Sequence, residues 1–155
     1  MYVVASSLGS YEVERCILDV ARTLTFSHPH GGNEAEFTYP IQFKSPNGGA
    51  LAWDEARVTS VLKRYRRDVD GCSVNAKTKA AVAVPPSLGM TIHIAPGGKV
   101  PSVGFYADAP LDPEFSACLA TRALKWKFED PVGKVAKATV SLETLLIAET
   151  PAPKR

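Results

Sequence analysis

An internal repeat constrains this chain more than any other feature. Aligning Cys16 with Cys118 brings CILDVARTLTFSHPHG, Cys16 to Gly31, into gapless register with CLATRALKWKFEDPVG, Cys118 to Gly133. Leu24 then falls on Trp126, Phe26 on Phe128, Pro29 on Pro131 and Gly31 on Gly133. Upstream, SSLGSYEVERC (Ser6 to Cys16) parallels APLDPEFSAC (Ala109 to Cys118) with one residue's difference in the loop. YVVA at Tyr2 to Ala5 likewise parallels VGFYA at Val103 to Ala107. Each segment reads as strand, turn, helix and strand.

The second copy of the repeat is the longer one. Asp54 is placed to cap a helix carrying Val58, Val61, Leu62 and Tyr65 on one face, and Gly71 is a natural stop. Two alternating strands follow about APGGK, where Gly97 and Gly98 supply the positive φ a tight hairpin needs. Asp112 caps a second helix, with Pro113 at its first position and Glu114 favoured by the positive helix end. In LKWKF, Leu124, Trp126 and Phe128 alternate with Lys125 and Lys127, the mark of a half-buried strand. Beyond the Pro131–Gly133 turn, Val135, Ala138 and Val140 break strict alternation, which predicts a bulge or a shifted register in the last strand.

The chain therefore divides into a partial unit, residues 1–44, a linker, 45–51, a complete unit, 52–146, and a loose Pro-rich tail, 147–155. The partial unit lacks the opening helix and first strand of the complete one. MYVVAS alternates from Met1 and reads as the middle of a strand, so the sequence is expected to be a piece of a longer chain.

Charge narrows the function classes. Eighteen Lys plus Arg against sixteen Asp plus Glu leave +2, too little for a protein that coats nucleic acid or an anionic membrane. In Lys63-Arg64-Tyr65-Arg66-Arg67 the tyrosine belongs to the apolar stripe and the basic residues form a solvated helix face, so no nucleic acid is expected. No run reaches the roughly 18 apolar residues of a membrane helix, and residues 1–20 lack a signal-peptide pattern.

In order, a basic-faced helix ends near a cysteine, a hairpin turns on Pro96, Gly98 and Val100, and LDPEFSAC precedes a W-x-F pair, a Pro/Gly loop and a last strand. This series resembles the AgmX/PglI C-terminal domain family, TonB-like modules of myxobacterial and related cell envelopes, over nearly all of residues 55–142. The partial unit carries the same marks at Cys16 and Phe26, and then at Tyr39, Pro40 and Phe43.

The resemblance implies an α+β fold of TonB C-terminal-like repeats, each a helix, β-hairpin, helix and strand, with an antiparallel sheet and helices on one face. It implies a non-enzymatic coupling module in the periplasm, tethered to the inner membrane through an anchor outside this chain. The module would transmit force in gliding motility or TonB-like energy transduction, with envelope proteins as partners through outer-membrane or periplasmic peptide segments. Members carry a cysteine at the end of the first helix and another on the second. Cys72 and Cys118 hold those positions, so an oxidising compartment would join them, leaving Cys16 an orphan of its truncated repeat.

Other chemistry finds little support in the residues. The three cysteines show no C-x-x-C or C-x-x-H spacing, and His28, His30 and His93 bring no converging ligands, so no metal is expected. APGGK lacks the phosphate-loop pattern, and no nucleophile motif or orienting acid accompanies the thiols. No catalytic residue and no cofactor are expected.

Binding is instead expected at a sheet edge, whose unpaired N–H and C=O groups can accept a partner's strand. The candidate edge is the last strand, Lys134 to Leu142, with Lys134, Val135, Lys137, Thr139 and Ser141 as its partner-binding residues. The matching strand of the partial unit is Ala35 to Phe43, where Pro40 limits which side pairs. The alternative is an architectural role, the truncated unit being completed between repeats or in a homodimer. A hydrolase or metal enzyme is the least favoured reading.

Overall fold

The computed structural model describes residues 1–32, 34–44, 49–74 and 82–142. Most of the expected linker, much of the loop after Cys72 and the tail 147–155 lie outside these residues. In chain order the elements are α1 (Tyr11–Arg22), β1 (Leu51–Ala52), α2 (Glu55–Leu62), α3 (Arg66–Cys72), β2 (Gly89–Ala95), β3 (Lys99–Tyr106), α4 (Pro113–Ala123) and β4 (Ala136–Ser141).

Local chemistry starts the helices where the sequence indicates. The Asp112 carboxylate accepts the backbone N–H groups of Glu114 and Phe115, both at 2.9 Å, ahead of Pro113 in the first turn of α4. Asp54 accepts from Ala56 N–H at 2.7 Å and opens α2. The single helix expected from Asp54 to Gly71 is broken: α2 ends at Leu62, tightens into a 3₁₀ turn over Lys63–Tyr65 and resumes as α3. At this turn Tyr65 stacks on Trp126 with centroids 5.0 Å apart, and its hydroxyl accepts Lys127 N–H at 2.8 Å. Gly71 lies inside α3 rather than past its end, where a Cβ would stand 2.7 Å from the Arg122 guanidinium.

The hairpin forms as expected, with Gly97 at φ 76° and Gly98 at φ 71° between β2 and β3. Strand order is β1-β4-β2-β3. β2 is antiparallel to both neighbours, setting Met90 opposite Phe105 and Val140, and Ile92 opposite Val103 and Ala138. β1 runs parallel to β4, so the sheet is mixed rather than wholly antiparallel. Met90, Ile92 and Ile94 share their face with Val103, Phe105, Ala136, Ala138 and Val140, and these join Val58, Leu62, Val69, Phe115 and Leu119 in one core.

Two strand expectations change. LKWKF makes only a bridge between Lys127 and Lys99: Trp126 and Phe128 are buried, but Leu124 is exposed because the chain is still leaving α4 there. In β4 the buried positions are Ala136, Ala138 and Val140, a regular alternation. Val135 lies outside that stripe, so the irregularity read from the sequence came from counting it inside.

The segment 1–22 packs against the complete unit. Val3 C=O accepts Ala107 N–H at 2.9 Å, among the described residues the one backbone bond between the expected 2–5 strand and β3 with its end, and α1 lies along β3 with Tyr11 edge-on to Phe105. Gly104 has no Cβ, and the Glu14 carboxylate occupies the space one would need. Glu14 accepts Phe105 N–H at 3.1 Å and Ser6 O–H at 2.6 Å. Burial pushes the Glu14 carboxyl above its usual range, against the lowering effect of those hydrogen bonds.

Candidate functional site

The strand expected to bind a partner is less open than an edge. Leu51 N–H donates to Val135 C=O at 2.8 Å and Trp53 N–H to Lys137 C=O at 2.9 Å, so β1 occupies the outer margin of β4 at its start. Farther along, Ser141 N–H donates to the Glu55 carboxylate at 3.1 Å. The backbone groups of residues 135, 137 and 141 all point to this margin, and strand alternation puts those of Thr139 there too. An open edge over Lys134–Leu142 is therefore corrected to a margin held at both ends. Lys134 and Val135 lie before β4, in the exposed turn region.

The side chains of Lys137, Thr139 and Ser141 extend to the polar face of the sheet. There Thr91 Oγ1 lies 3.0 Å from Thr139 Oγ1 and donates to Ser6 C=O at 2.7 Å. His93, opposite Lys137, has Nδ1 3.0 Å from Ser102 Oγ. Its pKa is lowered by burial and then by the Lys137 ammonium, which keeps the imidazole neutral at pH 7.

The opposite sheet margin, along β3, is also largely closed. Lys127 bridges Lys99, Glu14 takes Phe105 N–H and Val3 takes Ala107 N–H. Pro101, on the same side of the strand, has no N–H to offer.

The strand expected at Ala35–Phe43 of the partial unit is not formed. Among the described residues, 34–44 join no ladder, and Phe37, Tyr39, Ile41 and Phe43 alternate along them with exposures of 62%, 77%, 53% and 58%. Phe26, 55% exposed, meets Phe37 edge-on with centroids 5.3 Å apart. The chain reverses between them through Gly31 and Gly32, at φ 103° and 74°. The repeat supplies the contrast: Trp126 and Phe128, counterparts of Leu24 and Phe26, are 2% and 7% exposed.

A disulfide joins Cys72 at the end of α3 to Cys118 on α4, with Cα atoms 5.7 Å apart, and Cys16 is free and exposed. Asp68 on α3 reinforces the same contact, accepting Trp126 Nε1–H at 2.8 Å and lying 3.4 Å from the Arg122 guanidinium. Sequence reasoning missed Asp68, Glu14 and β1. Only Asp68 left a signal, an acid one helical turn before Cys72, and it was too common to single out.

Among the described residues no group of three or more His, Cys, Asp or Glu is placed to hold a metal ion. No helix among them is long and apolar enough to cross a membrane. A scan against protein-family models finds no match, and searches of curated proteins and of solved structures find no similar protein.

Proposed function

We propose that this chain is a non-enzymatic protein–protein coupling module of a bacterial cell envelope, which binds by adding its strand Ala35–Phe43 to a partner's sheet. One observation carries the reading: a segment with alternating apolar residues exposes Phe37, Tyr39, Ile41 and Phe43 to solvent while its counterpart in the other repeat is built into a sheet. Burying such side chains is worth roughly 1.5–3 kcal/mol each before ordering costs. Four of them on one face give a partner a substantial gross gain, and main-chain bonds fix the register.

The periplasmic setting and the force-coupling role rest on the resemblance of the repeat to TonB-like envelope modules. The Cys72–Cys118 bond agrees with an oxidising compartment. Load along an added strand is shared by several hydrogen bonds at once, which suits a mechanical link. The margin of β4 is the secondary binding candidate, with Thr139 its exposed centre and Glu55 the group a partner's strand would displace from Ser141.

A second reading, an architectural oligomer completed between chains, draws on the same exposed arm. In-cell photo-crosslinking separates the two. Probes at Phe37, Tyr39 and Ile41 should capture one discrete envelope protein, and probes at Lys134 and Lys137 little or nothing. Self-adducts alone from the arm would favour the oligomer, and adducts from β4 alone would overturn the choice of strand.

A further inference from the structure

We propose that the cavity between α1 and α4 binds a small anionic amphiphile, with its apolar body inside and its carboxylate held by Arg15 and Arg22. The inference concerns a different surface from the arm and does not depend on it. The cavity measures about 380 Å³, within the usual size of small-molecule sites. Its floor is the buried Phe105 of β3, and the half-buried Val3, Tyr11, Leu18 and Leu111 stand around it.

The apolar lining follows from how the two units meet. Tyr11 and Leu18 lie two helical turns apart on the side of α1 turned toward β3 and α4, and the Tyr11 ring packs edge-on to Phe105 with centroids 6.1 Å apart. Leu111 comes from the loop that leads into the Asp112 cap of α4. Glu14 lies in the same wall, but its carboxylate is turned to Gly104, where one oxygen accepts Ser6 O–H and the other Phe105 N–H. Burial also favours its uncharged form, so the floor presents no unanswered negative charge to a ligand.

Charge gathers at the mouth instead. Arg15, Asp19 and Arg22 follow one another at helical spacing and all line the cavity, with side chains 64%, 53% and 55% exposed. Asp19 is shared between the two arginines: one carboxylate oxygen accepts Arg22 Nη1–H at 2.8 Å, while Arg15 Nε stands 3.7 Å from the other, beyond hydrogen-bond reach. Two guanidinium groups thus divide one carboxylate, and among the described residues the Nη groups of Arg15 have no acceptor. Glu114, the acid across the mouth on α4, has an interaction of its own. A guanidinium fork with open donors matches a planar carboxylate, and the cavity beside it matches an apolar body. A cationic head would meet two arginines, and an uncharged one would leave the fork unused.

The test uses the full chain with Cys72–Cys118 intact and decanoate as the probe, titrated as dissolved monomer by calorimetry, with NMR shifts of backbone and methyl groups to locate it. Decanol carries the same body without the charge, and decylamine reverses the charge. Phosphatidylglycerol vesicles offer an anionic head and acyl chains as a surface rather than as a free molecule.

Wild type should bind one decanoate saturably, with the largest shifts at Leu18, Leu111 and Ala117, which all line the cavity. Arg15→Gln/Arg22→Gln, at two exposed positions, should weaken decanoate by about tenfold or more and leave the weaker binding of decanol unchanged. Ala117→Trp, with its fold checked by circular dichroism, puts a ring into the cavity and should abolish binding of both. Phe37→Asp/Ile41→Asp, on the arm, should bind decanoate as wild type does. The proposal is overturned by any of five results: no saturable binding of decanoate, binding that survives the arginine double variant, decylamine bound as tightly as decanoate, loss of binding in the arm variant, or binding to the vesicles alone.

Discussion

Breaking the Cys72–Cys118 bond should cost this fold more than any single surface change. The bond closes a loop of sequence separation 46, enclosing α3's end, the β2–β3 hairpin and the first half of α4. The loop-entropy relation gives about 4 kcal/mol at 25 °C for a loop of that length, a substantial share of the total stability of a domain this size. For a chain near this length each kcal/mol moves the melting temperature by about 2–4 °C, so the expected fall is about 8–16 °C. The assay is thermal unfolding followed by circular dichroism, comparing wild type with Cys72→Ala/Cys118→Ala. Trp126 fluorescence supplies a local reading, because its ring stacks on Tyr65 and its indole N–H is held by Asp68 on α3. A fall of less than about 1 kcal/mol would refute the reasoning, since it would place the constraint in the denatured chain far below the loop value.

Further outcomes follow from individual contacts. Glu14, whose folded-state pKa is raised by burial, retains its proton in the folded chain at a pH where the unfolded chain has released it. Its contribution to stability is therefore greatest in acid and declines as pH rises from about 4.5 through the folded value; Glu14→Gln should remove that slope, seen in paired urea titrations across pH. Glu14→Ala strands the Phe105 N–H and should cost about 1–3 kcal/mol in the same assay, with earlier proteolysis of residues 1–22. Gly98→Ala puts a Cβ 2.0 Å from the Phe128 carbonyl oxygen at φ 71°, so a loss of at least about 2 kcal/mol is expected by chemical denaturation. Asp68→Ala leaves the Trp126 N–H without its acceptor and should cost about 1–3 kcal/mol while altering the tryptophan emission. Phe37→Asp/Ile41→Asp should leave the melting temperature nearly unchanged, within about 0.5 kcal/mol per site, while abolishing the arm's crosslinks.

What the sequence disclosed was local. Asp112-Pro113-Glu114, Asp54 and Pro-Gly-Gly each carry their chemistry within a few residues, and the helices and hairpin they predict are present. What it concealed depends on distant contacts. The break after Leu62 accompanies Tyr65 reaching Trp126, 61 positions away by their numbers, and the covering of β4 depends on a strand of two residues, Leu51 and Ala52, too short to leave a signature of its own. Period-two alternation misled in LKWKF because the pattern ignores how α4 ends, and it misplaced the phase of β4 because Val135 looks like core. The alternation at Ala35–Phe43 read as a strand, but among the described residues no sheet receives it and no strand forms there.

The most direct measurement is amide hydrogen exchange along residues 35–43, in the free chain and in the complex captured by the arm. In the free chain these amides should exchange without protection, because no ladder among the described residues holds them. Pro40 has no donor and removes one side of the strand from productive pairing, so binding should protect Phe37, Tyr39, Ile41 and Phe43 and spare Thr38 and Gln42. Protection already present in the free chain, or a complex that leaves all these amides unprotected, would contradict strand addition as the way this module grips its partner.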